Sequence, residues 1–174
     1  IGPRKEMAVR TIFNVLGPLT NPADALCQVI GVFSKEWLRP LAEVLKKLGS
    51  KHVLIVHAED GLDEISIGSS TFVAELLEGE IKEFVIEPEQ FGLQKADVSQ
   101  LAVSNADQSL RIIKKIFAGE KGPARDIVAL NAGAAIYAAD LVNDLQEGVN
   151  KAQQILDEDS AQVKLDALIK LSNL

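Results

Sequence analysis

The chain has 174 residues, 47% of them hydrophobic, and a formal net charge of −7. That is enough apolar material for one domain with a real core, and the negative charge argues against non-specific binding to nucleic acid or to an anionic membrane. The single cysteine, Cys27, excludes an internal disulfide and is expected as a small core residue; no apolar run is long enough to span a membrane, no signal peptide is visible, and a cytoplasmic location is the default.

The chain opens "IGPRKEMAVRT" without an initiator methionine, so it reads as a piece of a longer protein. Residues 4 to 16 read as helical, with Gly17-Pro18 and Asn21-Pro22 breaking the pattern. "LCQVIGVF", 26 to 33, is short, apolar and rich in strand formers, which predicts a buried strand. Ser34 then offers a helix cap. Trp37, Leu38, Leu41, Val44, Leu45 and Leu48 share one helical face, and Gly49 suits the stop. Pro40 is tolerated only near the start of such a helix. "HVLIVHA", 52 to 58, is a second buried strand, and the order strand, helix, strand predicts a parallel crossover unit.

"TFVAELLEGEIKEFVIEP" reads as a hairpin turning at Glu78-Gly79-Glu80. "PEQFGL" is expected to be irregular. Ser104 and Asp107 suggest a capping box for a helix that ends near Gly119 and turns Leu110, Ile113, Ile116 and Phe117 to the core. Gly122-Pro123 opens a helix that is apolar nearly all round and rich in Ala and Gly, hence buried against close neighbours. Two amphipathic helices, about 146 to 157 and 160 to 173, finish the chain. The elements describe one α/β domain with a helical C-terminal layer.

The chemistry concentrates just after the strand 52 to 58. Glu59, Asp60, Asp63 and Glu64 crowd together there, and Gly61 lets the loop turn sharply. Ligands of open α/β sheets gather beyond the carboxyl ends of parallel strands. A hard cation such as Mg²⁺ takes a few carboxylate oxygens, keeps waters and shares substrate phosphates. In a turn, Asp63 and Glu64 can splay around one ion cluster. The plainer reading is that loop acids are simply solvated, or that they favour the start of a following helix. Arg4, Lys5 and Arg10 supply cations near the Gly-Pro break, and arginine pairs bidentately with carboxylate or phosphate; the plainer reading of Arg4 is an exposed helix residue near a frayed terminus. His57, Asn14 and Asn131 are read as structural hydrogen-bonding residues.

"RTIFNVLGPLTNP" at 10 to 22 and "DGLDE" at 60 to 64 resemble anthranilate phosphoribosyltransferases, as do "IEPEQFGL" at 86 to 93 and "LNAGAAIYAA" at 130 to 139. The likeness runs in order over essentially the whole chain. It implies an open mixed, largely parallel sheet flanked by helices, as in the nucleoside phosphorylase and phosphoribosyltransferase catalytic domains, with 1–174 as the C-terminal part of that α/β domain. It implies Mg²⁺-dependent transfer of phosphoribosyl from phosphoribosyl pyrophosphate to the amine of anthranilate, with release of pyrophosphate, in tryptophan biosynthesis. Asp63 and Glu64 match the family's metal-binding acids, and Arg4 matches the arginine that contacts the anthranilate carboxylate. The family's glycine-rich, GTGGD-like phosphate loop and its KHGN-like motif lie upstream of the first matching motif and do not occur in these 174 residues. The helical domain with the usual homodimer contacts is also outside them. The expectation is that this polypeptide alone is inactive. Two other readings start from the same residues: a pyrimidine nucleoside phosphorylase-like enzyme, and a non-catalytic nucleic-acid-binding relative. The first lacks the paired motifs, and the second would need a basic face.

Overall fold

A computed structural model describes Gly17, Leu19, Thr20, residues 23–158 and residues 160–173. The expected helix over residues 4 to 16 lies outside the described residues, as do Arg4 and Asn14.

The sheet is open and mixed. Strands β1 (Cys27–Gly31), β2 (His52–Ala58), β3 (Thr71–Leu77) and β4 (Glu80–Ile86) lie side by side in that order. β1 and β2 are parallel, with Cys27 opposite His52 and Gly31 opposite Val56. β2, β3 and β4 then meander antiparallel. The predicted crossover and hairpin are both present. Between β1 and β2 a short 3-10 turn, Lys35–Trp37, leads into α1 (Leu38–Lys47). Pro40 falls in the first turn of α1, where its missing N–H has no partner to lose.

β2 is covered on both sides, and its sequence shows why. Alternate residues point to opposite faces, and here both sets are apolar. Val53 and Ile55 pack with Leu38, Leu41, Ala42 and Leu45 of α1. Leu54 and Val56 join Ile65, Ile67 and Leu93 against the helices on the other face. Of the four C-terminal helices, α2 (Ala106–Phe117), α3 (Pro123–Ala138), α4 (Leu145–Asp157) and α5 (Ser160–Ser172), it is α3 and α4 that supply this cluster. α3 and α4 cross closely, as the Ala and Gly content of α3 predicts. A Cβ at Gly133 would sit 2.6 Å from the Cα of Val149, and one at Gly148 would sit 2.3 Å from the Gly133 carbonyl oxygen.

Four expectations need correction. α2 is capped by Asn105, whose side chain accepts from the Gln108 N–H at 2.9 Å. Asn caps as well as Ser, and Gln108 returns a bond to the Ser104 N–H at 2.7 Å, so the Ser104–Asp107 box does not form. Of the four residues assigned to the core face of α2, only Ile116 is buried, while Leu110 and Ile113 are exposed. α2 covers only a small cluster with Ala129, Ala152 and Leu156. α5 has no buried residue among those described. Cys27 is half-buried on a strand with one described neighbour, not fully inside. Among the described residues, no helix is long and apolar enough to cross a membrane.

Candidate functional site

The acidic loop leaves β2 at its carboxyl end, beside the carboxyl end of β1. Its main chain closes on itself. The Ala58 N–H donates to the Leu62 carbonyl at 3.0 Å, and the Gly61 N–H donates to the Ala58 carbonyl at 3.0 Å. Gly61 takes φ 93°, a left-handed conformation open to glycine. The Glu59 N–H reaches the Ser70 carbonyl at 2.9 Å, which shuts the loop where β3 begins.

The four acids divide into two kinds. Asp60 organises the loop. Its carboxylate accepts from the Leu62 N–H at 3.2 Å and from the Ser66 hydroxyl, and its own N–H donates to Ser69 Oγ at 3.2 Å. Hydrogen bonding of this kind stabilises a carboxylate within the fold. Glu59, Asp63 and Glu64 are exposed, and their carboxylates have no hydrogen-bond or ion-pair partner among the described residues. The chain bends at Asp63 and Glu64 instead of running extended, which is the condition for neighbouring side chains to share a side.

Two contacts fix where this bend lies. A Cβ at Gly31 would fall 1.5 Å from the Asp63 carbonyl oxygen. Only glycine at the end of β1 lets the Asp63 main chain rest there. From the other side, the Asn131 amide on α3 holds Ile65. Its Oδ1 accepts from the Ile65 N–H at 2.9 Å, and its Nδ2 donates to the Ile65 carbonyl at 2.9 Å. His57, half-buried, donates from Nδ1 to the Val32 carbonyl at 2.8 Å. The acceptor is a carbonyl, so Nδ1 carries the hydrogen. His57 thus ties the end of β2 to the segment after β1, in keeping with a structural role.

The "IEPEQFGL" segment walls the loop. Glu87 caps a 3-10 turn at Pro88–Phe91, accepts from the Ser70 hydroxyl at 3.1 Å, and takes a 2.8 Å ion pair from Lys95. The Lys95 ammonium, then Ser70, hold the Glu87 carboxyl below the usual carboxylate range. Leu93 is buried beside Ile65 and Ile67, and the Ala96 N–H donates to the Ile67 carbonyl at 3.0 Å.

The structure therefore places Asp63 and Glu64 at the carboxyl ends of the parallel pair. Arg4 lies outside the described residues. Gly31 was not singled out from the sequence, because a close approach between residues 31 and 63 leaves no local pattern. Ser66, Ser69 and Ser70, which bond within this loop and to Glu87, were likewise not singled out, although serines clustered between two strands are the signal that could have found them.

A model described as glycosyl transferase family, a/b domain matches residues 1–162, and the chain belongs to that family. The anthranilate phosphoribosyltransferase of Alkalilimnicola ehrlichii is 58% identical over 170 residues, which cover 98% of this chain and 50% of the relative. That of Methylococcus capsulatus is 55% identical over 172 residues, 99% of this chain and 50% of the relative. The crystal structure of anthranilate phosphoribosyltransferase from Thermus thermophilus superposes with a TM-score of 0.89 at 41% identity, covering 98% of this chain and 50% of that one. The Saccharomyces cerevisiae enzyme in complex with PRPP and Mg gives 0.86 at 29% identity with the same coverage. The chain spans about half the length of the curated relatives it matches.

Proposed function

We propose that this chain forms the C-terminal α/β part, residues 1–174, of an anthranilate phosphoribosyltransferase. In this role it supplies the metal-binding acids Asp63 and Glu64. The observation that carries the reading is the pair itself: two adjacent, exposed carboxylates, unpartnered among the described residues, at the carboxyl ends of two parallel strands, in a chain whose relatives bear that name. A structural neighbour holds PRPP and Mg.

Mg²⁺ fits this donor set. Among the described residues no group of three or more His, Cys, Asp or Glu side chains could cage an ion. Two exposed carboxylates suit a cation that keeps waters and takes substrate phosphate oxygens. When bound, Mg²⁺ neutralises charge on the departing pyrophosphate. Asp63 and Glu64 would hold it, and the Asp60–Ser66–Ser69 bonds, Gly31 and Leu62 keep them at the strand ends. In the transfer, the bond from ribose C1 to pyrophosphate oxygen breaks with its electron pair on oxygen. The amine lone pair forms the new C1–N bond, and the amine releases one proton. No described side chain is assigned as a general base. Arg4 orients the anthranilate carboxylate, so that positioning of a weak, uncharged nucleophile supplies much of the rate. The reading includes a cytoplasmic homodimer acting in tryptophan biosynthesis.

The test uses the complete enzyme, with Asp63→Asn and Glu64→Gln made separately. Each is expected to lower turnover of anthranilate and phosphoribosyl pyrophosphate by about 100-fold or more at fixed Mg²⁺. Each should also raise the Mg²⁺ concentration needed for half-maximal rate. Unchanged kinetics in both variants would remove the pair from the site. Turnover of thymidine instead of anthranilate would replace the reading with a nucleoside phosphorylase.

A further inference from the structure

Asn131 sits mid-way along α3, and its side-chain amide makes three hydrogen bonds to main chain, two to Ile65 and one to Ile127. Its oxygen accepts from the Ile65 N–H at 2.9 Å; its nitrogen donates to the Ile65 carbonyl at 2.9 Å and to the Ile127 carbonyl at 3.0 Å. The first two bonds pair a side-chain amide with both main-chain groups of one residue, as a neighbouring strand would. Ile65 lies between β2 and β3 and belongs to neither. Its side chain is 2% exposed, and the next residue, Ser66, is fully buried. Buried main-chain groups outside a sheet need partners, and a leucine at position 131 would fill space without supplying them.

The residue so held directly follows Glu64. On the other side, the missing side chain of Gly31 seats the Asp63 carbonyl on the end of β1. The two acids are thus clamped between an anchor at Gly31 and an anchor at Asn131. We propose that Asn131 is a positioning residue for Asp63 and Glu64, acting on Mg²⁺ affinity through Ile65 without touching the ion. The proposal rests on the metal-binding reading above. Groups that orient metal ligands typically matter 10- to 100-fold in metal affinity, and a role confined to packing would not move that quantity.

In the complete enzyme with phosphoribosyl pyrophosphate present, Mn²⁺ binding is followed by electron paramagnetic resonance for the unmodified protein, Asn131→Leu and Asp63→Asn. Hydrogen exchange over residues 59–67 is measured in parallel. Asn131→Leu is expected to weaken Mn²⁺ about tenfold and to speed exchange at Ile65, while the Michaelis constant for anthranilate stays within about twofold, on the order of the usual context scatter. If Asp63→Asn weakens Mn²⁺ and a folded Asn131→Leu does not, the positioning role is overturned and the metal site stands. If Asp63→Asn leaves Mn²⁺ binding unchanged, the metal reading itself falls and this proposal with it. Should Asn131→Leu fail to fold, Asn131→Asp carries the test. It keeps the acceptor for the Ile65 N–H and loses both donors, so a Mn²⁺ affinity equal to that of the unmodified protein would overturn the proposal.

Discussion

Each end of β2 places a histidine near acids, and the two ends treat those acids in opposite ways. At the amino end His52 is 1% exposed. Its Nδ1 lies 2.7 Å from Asp140 Oδ1, and its Nε2 lies 3.2 Å from Glu75 Oε1. Tyr137 packs edge-on at 4.6 Å. Burial, and then its hydrogen bond with Glu75, holds the Tyr137 hydroxyl above the ordinary tyrosine range. Asp140 and Glu75 thus both have a partner in His52. At the carboxyl end His57 bonds to a main-chain carbonyl, Asp60 is absorbed into its loop, and Asp63 and Glu64 are exposed with no partner among the described residues. Neighbouring like charges without counter-charges repel. Among the described residues the fold pairs its acids at one end of the strand and leaves Asp63 and Glu64 without partners at the other. The bare end is the one where ligands of parallel sheets collect.

The comparison breaks most visibly at the paired end. His52→Leu would leave Glu75 buried without its imidazole partner, at a cost of about 3 kcal/mol. Denaturant unfolding should show the loss, with the Mg²⁺ requirement of the complete enzyme unchanged. A shifted Mg²⁺ requirement would mean that the two ends are coupled. Gly31→Ala strikes the other end through the main chain. The new methyl must displace the Asp63 carbonyl, and about 2 kcal/mol of stability should go. Here the Mg²⁺ requirement should rise as well, because the acids move with the main chain. Stability lost without any change in Mg²⁺ dependence would separate the Gly31 contact from the site.

The smallest effect sharpens the class of paired acids. Asp157 is half-exposed and pairs with Lys121 at 2.7 Å and Arg125 at 2.8 Å. Its bond to Lys121, with Arg125 behind it, holds its carboxyl below the ordinary aspartate range. A carboxyl lowered by folding stabilises the protein above its unfolded value, and that contribution is lost as pH falls through the folded value. The stability gap between the unmodified protein and Asp157→Asn should therefore be widest near neutrality. It should close on acidification below the ordinary aspartate range, as followed by thermal melts. A gap that does not change with pH would show that the pair contributes nothing.

Much of this was legible in the residues. "HVLIVHA" is apolar at both alternating sets, so it had to be a strand covered on two faces, and Glu78-Gly79 marked the hairpin. The acids at 60 to 64 stood at a strand end by simple order along the chain. What local pattern could not show depends on distant partners. Gly31 matters because residue 63 rests on it, and Asn131 matters because Ile65 lacks a strand neighbour. The apolar stripe of α2 implied a full core contact, yet Leu110 and Ile113 stay exposed. Periodicity tells which face is apolar and not whether anything covers it. Ser104 and Asn105 cap almost equally well, and the reach of Gln108 decided between them.

In the proposed function Asp63 and Glu64 hold the metal. This is tested most directly by a crystal structure of the complete enzyme with phosphoribosyl pyrophosphate and Mn²⁺ bound, with the ions located by anomalous scattering. The account expects a Mn²⁺ at coordination distance, about 2.1 Å, from carboxylate oxygens of Asp63 and Glu64. Ions bound only elsewhere, with both side chains turned to bulk water, would contradict it.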